Sequence, residues 1–323
     1  MKVRILVVLA CVLGLASTNA KAAGWQSIEV PADAANPALR GAVWYPCAQT
    51  PADVAIGPFK LPMVKDCALP TGKHPLIVIS HGRGGTLFGH HDTAETLADA
   101  GFIVASINHA GDTARDLSQS NDLAIFVARP AQIKRLIDFM LDDSPFAAGI
   151  DSGRIGFFGF SRGGYTGLVL VGANPDWNGL HCGPQPGGPL CQQLERGDLP
   201  RQPVVHDPRI KAAVIADPLT LFFTAKARSL ADVKVPIQLW ASERGGDGVL
   251  PESVAGINQG LPAQHDYHVV ANSGHFAFLA PCPEALATAA PDICTDAPGF
   301  DRAAFHRTFD AELLAFFRKH LGG

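Results

Sequence analysis

The 323-residue chain contains no basic run, and its formal net charge is −4. Nucleic acid is therefore not an expected partner. There is no C-x-x-C pair, so a cysteine zinc site is not expected either. Beyond the N-terminus no segment approaches the ~20 uninterrupted apolar residues of a membrane-spanning helix. Internal repeats and low-complexity tracts are absent. The roughly 300 residues after the first stretch have the size of one large domain.

That first stretch, residues 1–22, reads as a removable leader. Lys2 and Arg4 precede an apolar run from Ile5 to Ala16, and small residues with Ala20 and Ala22 follow. This is the pattern of a secretory signal peptide, so an exported protein is expected, with one domain over residues 23–323. Of seven cysteines, Cys11 lies in the leader and six remain. An even number outside the cytoplasm suggests disulfides. Short spacing favours Cys182–Cys191 and Cys282–Cys294, which leaves Cys47–Cys67; other pairings stay open.

Strands and helices alternate along the chain. Trp25 to Val30 and Arg40 to Tyr45 read as an antiparallel start, and Pro46 to Gly72 as irregular. Leu76 to Ser80, Phe102 to Ile107, Arg154 to Phe158, Ile210 to Ala216, Pro236 to Ala241 and His265 to Val270 read as strands. The continuous apolar runs among them mark strands covered on both faces. Helices are expected from Thr93 to Ala100, Pro130 to Leu141 and Asp301 to His320, with Pro130 in a first turn. The segment from about 173 to 208 breaks this rhythm and reads as an irregular insertion over the active-site face. The fold class is α/β, a mostly parallel sheet with helices on both faces.

One motif organises the rest. Gly159-Phe160-Ser161-Arg162-Gly163 matches G-x-S-x-G and sits between a strand and a helix. In a chain with 33 glycines the pattern alone is weak, but that context is the one a nucleophile elbow needs. The turn would lift the serine hydroxyl above the sheet and aim helix N–H groups at developing negative charge.

Chemistry in such sheets collects beyond the carboxyl ends of the strands. The loops there carry His81 to Gly85, Asn108 to Asp112, Ser161, Glu243 to Asp247, and His275. The order serine, acid, histidine suits nucleophilic catalysis, with Ser161 attacking a carbonyl carbon and His275 moving its proton.

At these residues the chain resembles a known family. From about Pro75 onward it is similar to dienelactone hydrolase-like α/β-hydrolases, platelet-activating-factor acetylhydrolases and secreted polyester hydrolases. Ser80-His81-Gly82-Arg83-Gly84-Gly85, the Ser161 elbow and Ser273-Gly274-His275-Phe276 carry the resemblance. True dienelactone hydrolases use cysteine where this chain has Ser161, so that substrate is not implied. The resemblance favours Asp247 as the acid, because Val249-Leu250-Pro251 follows it as in the family's turn. Asp217 is the alternative, at the position used by the acetylhydrolase-like branch; read locally, it would cap a helix before Pro218. Glu243 is read as a loop charge.

Backbone N–H groups of Arg162 and Arg83 are expected to form the oxyanion hole. Their side chains are read either as an attraction for anionic substrates or as solvated groups. His81 is expected to be structural. His90, His91 and Asp92 are read as a helix start with Asp92 as cap in preference to a metal site; no metal or cofactor is expected. His109 and Asp112 are read as pocket-lining or as partners of loop amides. Phe88, Phe126, Phe160, Phe222, Phe223 and Phe278 are expected in the core more than in an acyl pocket. The resulting expectation is an exported serine carboxylic-ester hydrolase acting on a small-molecule or polymeric ester through an acyl-enzyme. The alternative is a non-catalytic binding protein on the same scaffold.

Overall fold

The computed structural model describes residues 22–177, 188–224, 228–262 and 265–322. The chain opens with β1 (Ala22–Val30), β2 (Leu39–Cys47), β3 (Ala52–Ile56), β4 (Phe59–Lys65) and β5 (His74–Ser80). It continues through α1 (His91–Asp99), β6 (Ile103–Ile107), α2 (Ile125–Asp142), β7 (Ile150–Phe160) and α3 (Arg162–Leu170). Then come α4 (Pro189–Arg196), β8 (Ile210–Ala216), β9 (Ile237–Ser242), α5 (Pro251–Gly260) and β10 (His265–Val270). The last helices are α6 (Glu284–Ala289), α7 (Pro291–Cys294) and α8 (Arg302–Leu321).

The strands form one sheet in the order β10-β9-β8-β7-β5-β6-β2-β1-β4-β3. From β10 to β6 every pairing is parallel; β2 joins β6 antiparallel and β1 joins β2 antiparallel. This is the expected α/β architecture, and the parallel centre explains the unbroken apolar runs. Within β5, Leu76 and Val78 pack on the face that holds Ile133, Leu136, Ile137 and Met140 of α2. Ile77 and Ile79 point the other way, to Ala94, Leu97 and Ala98 of α1 and Phe309, Leu313 and Phe317 of α8. The period of two thus feeds two separate apolar layers.

Three local expectations are corrected. Residues 46–72 are not irregular throughout, since β3 and β4 form a hairpin there. Its strand β3 alternates exposed and half-buried residues, so no apolar run marks it. Helix α2 begins at Ile125, five residues before Pro130, which lies inside it. Burial of Leu123, Ile125 and Phe126 against Tyr165, Val169 and Phe222 draws the earlier turn into the helix. The insertion near 173–208 contains α4, whose Leu190 and Leu194 pack on that same cluster.

Disulfides Cys47–Cys67 and Cys282–Cys294 are present. Cys182 of the expected third pair lies outside the described residues, as do residues 1–21 of the expected leader; its last residue, Ala22, opens β1. No helix among the described residues is long and apolar enough to cross a membrane.

Candidate active site

Ser161 sits between β7 and α3 with φ 56° and ψ −118°, a backbone conformation disfavoured for a residue with a side chain. The turn is held by its own N–H, which donates to the Ala216 carbonyl at 2.9 Å, and by its carbonyl, which accepts from Leu219 at 3.0 Å. A Cβ on Gly163 would fall on the Ser80 carbonyl, and one on Gly159 on Gly163 itself. Both glycines are therefore imposed by close backbone approach. Ser161 is only 5% exposed.

His275 follows β10 in a short 3-10 turn and is buried. Its ring packs 4.6 Å from that of Phe160, the residue before the serine. Nδ1 lies 2.6 Å from Oδ2 of Asp217. Nε2, the other ring nitrogen, has no hydrogen-bond partner among the described residues.

The acid beside this histidine is Asp217, not the favoured Asp247. Asp217 leaves β8, is fully buried, and has φ 42°. Its Oδ1 accepts the Ser242 N–H at 2.8 Å and its Oδ2 accepts the Ser242 hydroxyl at 2.7 Å. No helix starts at Pro218, so the capping alternative for Asp217 is not met. Asp247 is exposed. Its loop serves the histidine by backbone: the Gly245 carbonyl accepts the His275 N–H at 2.8 Å, and Gly246 packs against the His275 Cβ. Gly245 and Gly246 thus brace the histidine from behind. Ser242 was not singled out by sequence reasoning. Its position at the end of β9, beside the end of β8, is the signal that could have found it.

The two residues expected to supply oxyanion N–H groups lie on separate segments. Arg162 opens α3, where the first N–H groups have no intrahelical carbonyl. Arg83 follows β5 and is itself exposed between buried Gly82 and half-buried Gly84, its side chain 3.3 Å from Asn121. Neither suggestion for the Arg162 side chain holds: it is buried, 2.9 Å from Asp112 Oδ2, and its guanidinium lies 5.0 Å from the Phe126 ring centroid.

Around them the remaining polar candidates form internal contacts. His81 donates from Nδ1 to the Gly82 carbonyl at 2.7 Å and accepts the His109 N–H at Nε2, 3.2 Å away. Burial and the nearby Arg129 charge push its pKa down to about 3, so the ring is neutral. His109 accepts the Ser80 hydroxyl at Nε2 and donates from Nδ1 to Gln132, and burial likewise holds it well below its ordinary value. Phe126, Phe222 and Phe278 are fully buried and Phe160 nearly so, as core residues.

The helix α1 start differs from expectation. Its N-cap is His90, and Asp92 lies in the first turn, 2.7 Å from His306 Nδ1. Donor atoms of Asp92, His306 and Asp310 lie within 4.8 Å of one another, a set chemically able to hold a metal ion. The set is also balanced without one. Burial and the Asp92 charge raise the Asp310 pKa to about 7, while the Asp92 carboxylate raises that of His306. A cavity of about 930 Å³ is lined by residues including Thr220, Phe223, Arg228 and Ile257, and not by Ser161, Asp217 or His275.

Residues 45–125 match the family described as platelet-activating factor acetylhydrolase, isoform II. That span holds β5, the Arg83 loop and β6 but neither Ser161 nor His275. No curated protein matches the chain. Among solved structures it is similar to a ferulic acid esterase from Streptomyces cinnamoneus, at 18% identity and TM-score 0.64. The match covers 95% of this chain and 91% of that one. The chain has the α/β-hydrolase fold, and the comparisons together support a likeness to serine esterases of the platelet-activating-factor acetylhydrolase kind.

Proposed function

We propose that the chain is a serine carboxylic-ester hydrolase working through a Ser161–His275–Asp217 triad and an acyl-enzyme. The observation that carries this is the His275 ring, packed against Phe160 of the elbow, tied at Nδ1 to a buried carboxylate and unbonded at Nε2. Asp217 fixes the tautomer with hydrogen on Nδ1, which leaves Nε2 as the base. Ser161 Oγ adds to the ester carbonyl carbon as its proton passes to Nε2. The carbonyl oxygen becomes an anion that accepts from the Arg83 and Arg162 N–H groups. Collapse expels the alcohol, which takes the proton from Nε2. Water then repeats the sequence on the acyl-serine, releasing the acid and restoring Ser161.

Export fits the same reading. The leader pattern of residues 1–22 and the disulfides Cys47–Cys67 and Cys282–Cys294 suit an oxidising compartment. The substrate class is a carboxylic ester; Arg162, paired internally with Asp112, is no receptor for an anionic group on it, whereas Arg83 is exposed with only the neutral Asn121 as its side-chain partner.

Pre-steady-state hydrolysis of p-nitrophenyl acetate tests the proposal. The mature chain is expected to release a burst of p-nitrophenol equal to the enzyme present, and Ser161→Ala none. Equal turnover by both, or no turnover by either across an ester panel, contradicts it.

A further inference from the structure

Behind the two oxyanion loops lies a buried polar cluster. Ser80, Asp112 and Arg129 are fully buried and Arg162 is 3% exposed. Oδ2 of Asp112 accepts from Nη1 of Arg129 at 2.6 Å and from Nη1 of Arg162 at 2.9 Å. Its Oδ1 accepts the Gly84 N–H at 3.1 Å and the Ser120 hydroxyl. Arg129 Nη2 donates to the His81 carbonyl and to Ser80 Oγ, 3.3 Å away.

These contacts grip the backbone on each side of Arg83. Arg129 holds the oxygen of the peptide joining His81 to Gly82. His81 Nδ1 holds the oxygen of the next peptide, and the opposite end of that planar trans unit is the Arg83 N–H itself. Asp112 holds the N–H of the peptide after that. On the other loop, the residue supplying the second N–H, Arg162, ends its own side chain on the same carboxylate. A single buried aspartate therefore meets the backbone beside one donor and the side chain of the other.

Stability alone gives little reason for such a group. Two buried guanidinium ions on one carboxylate carry a large desolvation cost, and apolar replacements are often as stable. We propose that Asp112, with Arg129, is a positioning clamp that fixes the spacing of the Arg83 and Arg162 amides around the oxyanion. The clamp rests on the ester-hydrolase reading and deepens it. Its contribution is to transition-state geometry, because donors about 1 Å out of place lose on the order of 10²-fold in rate.

The test compares the wild-type chain with Asp112→Asn and Arg129→Lys. Active sites are counted with a fluorophosphonate, so misfolded chains drop out of every rate. Per counted site, kcat should fall about tenfold or more with KM within about twofold. The inhibition constant of phenylboronic acid, which places a tetrahedral oxygen in the hole, should rise by the factor that kcat/KM falls. Unchanged kcat and inhibition constant per counted site, with only fewer sites or lower melting temperature, would overturn the clamp. Should neither variant give countable sites, Ser120→Ala removes just one hydroxyl from Asp112, and a threefold or larger fall per site is expected of it; no fall overturns the proposal. Wild-type chain that neither labels nor turns over esters would instead sink the hydrolase reading, and the clamp with it.

Discussion

Oδ2 of Asp217 lies 2.6 Å from Nδ1 of His275, across 58 positions of sequence. The pair is buried, and the carboxylate is further fixed by the N–H and hydroxyl of Ser242. Strand order explains the meeting. β8, β9 and β10 are adjacent and parallel, so residues just past their carboxyl ends converge. Asp217, Ser242 and His275 each follow or end one of these strands.

The two acids should separate cleanly in kinetics. Asp217→Asn is expected to lower kcat by about 10⁴, through loss of the tautomer that leaves Nε2 basic. Asp247→Asn should stay within about threefold, its carboxylate being exposed. Steady-state rates on one p-nitrophenyl ester decide between them; the reverse order would restore Asp247.

Gly163→Ala should be more damaging than its size suggests. The new Cβ would meet the Ser80 carbonyl, which is backbone and cannot swing aside. Destabilisation of about 3 kcal/mol or more is expected, with loss of Ser161 reactivity even in the folded fraction. Urea unfolding combined with fluorophosphonate labelling measures both.

Asp310 makes stability depend on pH in a defined direction. Its folded pKa is raised to about 7 from 3.8, so between those values the native state holds a proton that the unfolded chain has lost. Stability from this group therefore falls as pH rises through that window. Asp310→Asn keeps the site neutral at every pH. The melting temperature of the variant minus that of wild type should be higher at pH 8 than at pH 5 by about 2 °C or more. A pH-independent difference would place the raised pKa in doubt.

The Cys47–Cys67 bridge closes a separation of 20 residues around the β3–β4 hairpin. Replacing both cysteines by serine should cost about 3 kcal/mol, chiefly by freeing the unfolded chain. Because the bridge is remote in sequence from Ser161, Asp217 and His275, kcat at 25 °C should hold while the melting temperature falls. Calorimetry and ester turnover on the same preparation check this.

What the sequence made legible follows from which forces act locally. The parallel strands could be read because burial on both faces requires apolar residues at every position, as in Leu76 to Ile79. The elbow could be read because two close backbone approaches leave only glycine. The β3–β4 hairpin could not: its edge strand β3 is at most half-buried, and Pro62 interrupts the short alternation of β4 between Leu61 and Met63. Arg129 is not legible because Pro130 reads as a helix start, which leaves the arginine outside α2. That Asp217 and not Asp247 contacts His275 has a longer-range reason. Which of two acidic loops turns its carboxylate inward depends on Ser242 from a neighbouring strand, a contact that chain order does not encode.

The most direct test of the central claim is to treat the chain with a fluorophosphonate and map the adduct by peptide mass. One adduct is predicted, on Ser161, with ester hydrolysis lost in step with its formation and labelling slowed in His275→Ala. An adduct on another residue, or hydrolysis that survives full occupancy of Ser161, would contradict the account.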